Sequence, residues 1–107
     1  DWKTCSWGWD IEKKTDRITT YQLTYYKNFF CTKHNIDPEK VETYFGLLKR
    51  TAKKNKVEFY RVSSGPRKIK NALNILNQAV YNIHNNNHPK NLLKCTRCEF
   101  NKTEWCP

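Results

Sequence analysis

The sequence predicts a mainly α fold: a small disulfide-linked helical domain with three principal helices, a short C-terminal helix and irregular termini. Three observations carry this. Apolar residues at Ile69, Ala72, Leu73, Leu76, Ala79, Val80 and Ile83 make one stripe at helical spacing. Asp37-Pro38-Glu39 reads as a helix start, and Val41, Tyr44, Phe45, Leu48 and Ala52 follow as an apolar line. Five cysteines lie at both ends of the chain and once in its middle, an arrangement suited to cross-links that tie the termini to a core.

A chain of 107 residues is read as a single domain over 1–107. Hydrophobic residues make up only 37%, with a mean hydropathy of −0.94, yet the 14% aromatic content argues for a folded core rather than disorder. No apolar run approaches the roughly 20 residues that span a bilayer.

Asp1 to Lys14 lacks a helical period and is expected to be an extended arm. Its Trp2, Trp7 and Trp9 pack onto helices, or alternatively form an exposed aromatic contact patch. Thr15 to Asn35 alternates like a strand over Thr20–Tyr25, but its length without Gly or Pro favours a helix. Thr15 or Asp16 would cap it. Ile18, Gln22, Tyr25 and Phe29 would form one line, with Tyr26, Phe30 and Cys31 beside it. Asp37 to Asn55 is expected to be the second helix, with Gly46 inside it permitting a close contact. Lys56 to Val62 breaks the helical period: Val57, Phe59 and Arg61 fall on one side of an extended chain, and Glu58, Tyr60 and Val62 on the other. A lone strand cannot make a sheet, so this segment is read as a connector or short strand. Ser64 caps the third helix, Pro66 opens it, and Asn85–Asn87 with Pro89 stop it near His84. That helix is expected to be the most buried, so that Leu76→Asp would unfold the chain. Pro89 can open a short helix through Leu92 and Leu93 to Cys98.

Cys5, Cys31, Cys95, Cys98 and Cys106 are the disulfide candidates. Two internal bridges are expected, with Cys31 joined to Cys95 or Cys98 and Cys5 held near the C-terminal tail. The odd thiol is left free, buried or linking two chains, so the protein is read as a monomer or a disulfide-linked dimer. Asn101-Lys102-Thr103 is a glycosylation sequon, with Asn101 the acceptor. Cysteines, sequon and a start at Asp1 without Met together suggest a secreted, processed chain. His84-x3-His88 and Cys95-x2-Cys98 imitate zinc ligand pairs, but the order and separation of a finger are missing, and no metal is expected. Nor is there a Gly-x-Ser-x-Gly, a His-Glu-x-x-His or a Gly-rich phosphate loop. The chain is expected to be non-enzymatic and without a cofactor.

A formal net charge of +10 predicts attraction to acidic proteins or other polyanions. The basic residues concentrate between Lys49 and Lys70. From these Arg50, Lys53, Lys54, Arg61, Arg67 and Lys68 are the candidate binding residues of one basic face, which could equally be a solvated face with no partner. Basic residues interleaved with aromatics also fit nucleic acid, a reading that secretion makes less favourable.

The start Asp1-Trp2-Lys3-Thr4-Cys5-Ser6-Trp7-Gly8-Trp9, the basicity, the small size and the sparse cysteines resemble the salivary anti-complement proteins of sand flies. The resemblance covers the chain as a type and has no short diagnostic motif. It implies secretion in saliva during blood feeding, and immune evasion by inhibition of the classical complement pathway through binding a host complement protein, without catalysis. Two other readings compete. One is a basic salivary anticoagulant or scavenger that binds anionic polysaccharide or lipid surfaces. The other is a helical cytokine-like receptor ligand.

Overall fold

A computed structural model describes residues 1–106 and shows a three-stranded mixed sheet with helices, which overturns the mainly α, all-helical expectation. In chain order the elements are β1 (Trp2–Cys5), α1 (Ile11–Thr15), α2 (Arg17–His34), a 3-10 turn (Pro38–Lys40), β2 (Thr43–Lys49), β3 (Val57–Val62), α3 (Pro66–His84) and a 3-10 segment (Leu92–Arg97). The chain divides into two compact units, Asp1–Asn77 and Gln78 onward, and α3 begins in the first and ends in the second.

The segment expected as a helix from Asp37 to Asn55 is the largest correction. Asp37 does cap, its Oδ1 accepting from the Glu39 N–H at 3.0 Å, but the helix lasts one 3-10 turn, and Val41 is already extended (φ −116°, ψ 122°). The apolar spacing there fits two periods at once: Tyr44, Phe45 and Leu48 suit a helix, while Phe45 and Leu47 suit one face of a strand. Partners decide. β2 is the central strand, parallel to β1 with Trp2 opposite Gly46, and antiparallel to β3 with Gly46 opposite Phe59. The N-terminal arm fixes this register from its first residue. The Asp1 ammonium donates to the Tyr44 carbonyl at 2.9 Å, and the Gly46 N–H donates to the Asp1 carbonyl at 2.8 Å.

The inner face of the sheet carries Phe45 and Leu47, both fully buried, together with Tyr60 and Val62. Phe45, Leu47, Val62 and Leu23 of α2 form the core, joined by the partly buried Cys5, Trp9 and Tyr60. Of the three indoles in the arm, only Trp9 enters the core, packed at a tilt against Phe45 with ring centroids 5.1 Å apart. The alternation anticipated for residues 57–62 is the one observed: Glu58, Tyr60 and Val62 inward, Val57, Phe59 and Arg61 outward.

α2 forms because Asp16 Oδ2 accepts from the Thr19 N–H at 2.7 Å. It ends because Asn35 turns left-handed (φ 51°), letting the Ile36 N–H reach back to the Cys31 carbonyl at 3.0 Å. The face it buries is not the bulky one. Thr20, Tyr21, Leu23, Thr24 and Cys31 are buried, whereas Ile18, Tyr26, Phe29 and Phe30 are exposed.

α3 buries only Ala72, so it is not the most buried helix, and Leu76 is only half-buried. It is held to α2 by Tyr25 Oη, which donates to the Ala72 carbonyl at 2.7 Å. Ser64 does not cap it. Its hydroxyl pairs instead with Thr24 Oγ1 at 2.9 Å inside the fold, and the carbonyl of Gly65 receives the Ile69 N–H.

The disulfide expectation also fails: all five cysteines are free thiols, with none at bonding distance from another. In the first unit Cys31 is buried on α2, and Cys5 packs against the core with its Sγ directed at the Leu48 carbonyl. Two seats inside packed structure replace two cross-links. Cys95, Cys98 and Cys106 lie in the second unit, where the Leu92–Arg97 segment replaces the short helix expected from Pro89. Asn101 is in a turn there, and its N–H donates to the Cys98 carbonyl at 3.1 Å.

One ion-pair group ties α1 to the sheet. Glu58 on the inner face accepts from Lys14 through Oε1 and from Lys49 through Oε2, the latter at 2.9 Å. The hydrogen bonds from Lys14 and then Lys49 hold its carboxyl below the ordinary glutamate value of 4.5. A lowered folded pKa means that the folded state binds fewer protons. This contribution is therefore present above the unfolded value and lost as pH falls through the folded one. The denaturation midpoint of the wild type should exceed that of Glu58→Gln at pH 7, and the gap should close on acidification below pH 4.5. A gap independent of pH would show that the two lysines do not stabilise the ionised carboxyl.

Candidate functional site

The outer face of the sheet is apolar and faces solvent. The register puts Trp2 of β1, Tyr44 and Leu48 of β2, and Val57, Phe59 and Arg61 of β3 on it. Every one of the five large apolar side chains is exposed, with Trp2 at 60% and Phe59 at 67% the most prominent. Gly46 makes their arrangement. A Cβ at that position would lie 2.5 Å from Trp2 Cε3, so only glycine lets the indole lie across the central strand. Trp2 thereby reaches Phe59 on the far strand, with ring centroids 5.8 Å apart and planes tilted by 59°. The expected close contact at Gly46 exists, in a sheet rather than a helix.

This face runs directly into the β2–β3 loop. Leu48 and Val57 are the last cross-strand pair, and the Lys49 N–H donates to the Lys56 carbonyl at 2.8 Å. The loop is pinned on its first side. The Arg50 N–H donates to the Cys5 carbonyl at 2.8 Å, and Thr51 Oγ1 donates to the Ser6 carbonyl at 2.6 Å. Beyond these bonds Arg50, Lys53, Lys54 and Lys56 are exposed. Among the described residues none of the four has a carboxylate within 4.0 Å. A cationic tip with no internal counter-ion adjoins a rigid aromatic face.

The six basic residues singled out in the sequence fall into separate places. Arg50, Lys53 and Lys54 are together on the loop. Arg61 is on the outer face toward the other end of β3, a strand roughly 20 Å long, and is paired with Glu42 at 3.1 Å. Arg67 and Lys68 open α3. Lys68 Nζ donates to the Ser63 carbonyl at 3.2 Å, and burial pulls its pKa below the usual lysine value. On the same face Tyr44 Oη donates to Glu42 Oε2 at 2.7 Å. That hydrogen bond, reinforced by desolvation and by the charge of Glu42, raises the phenol pKa, and Arg61 opposes the rise.

Trp2, Leu48, Val57, Phe59 and Lys56 join the site although sequence reasoning did not select them for it. The period-two alternation of residues 57–62 was the local signal for Val57 and Phe59, and the alternative of an exposed aromatic patch was the one for Trp2. Among the described residues no group of three or more His, Cys, Asp or Glu side chains is placed to hold a metal ion, and no helix is long and apolar enough to cross a membrane. No protein-family model matches the chain, and no curated protein or solved structure shows detectable similarity to it.

Proposed function

We propose that this is a secreted, non-enzymatic binding protein that inhibits the classical complement pathway by docking on an acidic patch of a host complement protein. The observation that carries the reading is the tilted Trp2–Phe59 ring pair on an exposed sheet face beside a cationic loop without internal counter-ions. Aromatic side chains held by a rigid scaffold are the residues that most often dominate binding energy, and adjacent cations steer encounter with an acidic partner. The resemblance of the Asp1–Trp9 stretch to salivary anti-complement proteins supplies the class of target.

The loop also favours a second reading, binding to anionic polysaccharide. The two part on salt and on aromatic dependence. A polyanion binder should lose affinity steeply with salt and ignore the indole, whereas a protein inhibitor needs both. The helical cytokine-like alternative needs a longer set of helices than the sequence offers, and the mixed sheet lends it no support.

In a classical-pathway haemolysis assay the wild-type protein should suppress lysis. The double variant Trp2→Ala/Phe59→Ala should be weaker by about 30-fold or more, as loss of a hot-spot pair implies. The same variants, checked for an unchanged circular dichroism spectrum, should elute from heparin as the wild type does. Untouched lysis with wild-type protein overturns the complement reading and leaves the polysaccharide binder.

A further inference from the structure

We propose that an open cleft in the first unit is a binding site for a single-chain amphiphilic anion, a molecule with one unbranched apolar chain and one carboxylate or phosphate head. The cleft is separate from the sheet face described above. It lies between α2, the Pro38–Lys40 turn, the end of β3 and the first half of α3, and encloses about 860 Å³. That is within the range of roughly 300–1,000 Å³ typical of small-molecule sites.

Its lining has an apolar part and a charged part. Val41, Val62, Ile69 and Leu73 contribute the apolar surface, from four different segments. Val62 is buried and the other three are half-buried, so the lining is a built concavity rather than a row of exposed side chains. Apolar walls of this extent suit a hydrocarbon chain, whose transfer out of water is favourable in proportion to the area covered.

The charged part offers the head a seat. Lys27 of α2 and Lys70 of α3 reach the cleft from two sides. Lys27 Nζ makes one long bond, 3.4 Å to the Ser64 carbonyl, and keeps donors to spare. Lys70 is exposed and, among the described residues, has no carboxylate within 4.0 Å. Three carboxylates also line the cleft, and none of them lies within 4.0 Å of Lys27 or Lys70. Asp37 accepts from the Glu39 N–H at 3.0 Å, and Glu42 accepts from Arg61 at 3.1 Å and from Tyr44 Oη at 2.7 Å. With Glu42 paired to Arg61, Asp37 and Glu39 balance Lys27 and Lys70 in formal charge, so the preference for an anion comes from two ammonium groups set apart from any carboxylate and from the charge of the whole chain. The first turn of α3, which borders the cleft, contains no acidic residue. At a net charge of +10 the whole molecule draws an anionic amphiphile in and opposes a cationic one.

The test is calorimetric titration of the full chain with four ten-carbon probes kept below their aggregation concentrations: decanoate, decyl phosphate, decylamine and decyl maltoside. Saturable 1:1 binding is expected for at least one of the two anions, and which of them binds more tightly separates a fatty-acid head from a phospholipid-type head. Decylamine and decyl maltoside should be at least tenfold weaker. Lys70→Glu changes an exposed residue and should weaken anion binding about tenfold. Lys27→Gln/Lys70→Gln should do the same with an unchanged circular dichroism spectrum. The proposal is overturned if neither anion saturates, if decylamine binds as tightly, or if folded Lys70→Glu and the double variant bind as the wild type does. It also fails if binding is lost on reversing Arg50, Lys53 and Lys54 but not on changing Lys70, because the ligand would then sit on the loop.

Discussion

Replacing Phe45 with alanine should cost about 3–5 kcal/mol, the largest stability loss from a single truncation in this chain. Phe45 is fully buried, meets the Trp9 ring at a tilt and packs within the cluster of Leu23, Leu47 and Val62. It also sits in the central strand, so its cavity would open between α2 and a strand paired on both edges. A domain of this size has about 5–15 kcal/mol of stability in all, and the variant should be partly unfolded at 37 °C. Chemical denaturation measures this directly. A loss below about 1 kcal/mol would mean that the cavity collapses or that the core lies elsewhere. Leu76→Asp, which the helical stripe alone marks as the damaging change, alters a half-buried position and should be milder.

Reversing Arg50, Lys53 and Lys54 to glutamate should abolish most of the inhibitory activity while leaving the fold intact. Each reversal lowers the net charge by two, taking the formal value from +10 to +4. The three side chains are exposed and have no carboxylate partner, so stability should move by no more than about 0.5 kcal/mol. Association with an acidic surface should slow by about tenfold or more at low salt, because steering is lost and repulsion introduced. Arg67→Glu/Lys68→Glu is the matched comparison. It has a smaller charge change at a different place, at the start of α3, and should retain most of the inhibition. Surface plasmon resonance against purified classical-pathway components, run at two salt concentrations, reads both. Full inhibition by the triple variant at physiological salt would show that the loop is only a solvated turn.

Several parts of this molecule were legible from local chemistry. Asp16 and Asn35 bound α2 because a capping carboxylate and a left-handed asparagine act on N–H and carbonyl groups within one turn. Pro66 opens α3 and the Asn85–Asn87 run closes it, with Asn86 left-handed at φ 53°. The two sides of residues 57–62 were readable because a strand's period is two whatever it pairs with. The concentration of cations between Lys49 and Lys70 needed only composition.

What the tertiary structure alone decided involves partners far apart in the chain. Thr43–Lys49 carries both a helical and a strand-like apolar pattern, and nothing within seven residues separates them. The choice is made by hydrogen bonds to Asp1–Cys5, more than forty positions earlier, and to β3. The same pairing puts Trp2 over Gly46, and so decides between the two places local reasoning left open for that indole, against the core and for the outside. The buried face of α2 was chosen by its distant partners: Leu23 packs with Phe45, Leu47 and Val62 of the sheet, and Thr24 pairs with Ser64, while Phe29 and Phe30 are left exposed. Composition and cysteine count marked a cationic chain suited to cross-links. The fold seats Cys5 and Cys31 without a bridge and divides the cations between a loop and a helix start, because side-chain neighbours are set by strand register rather than by distance along the sequence.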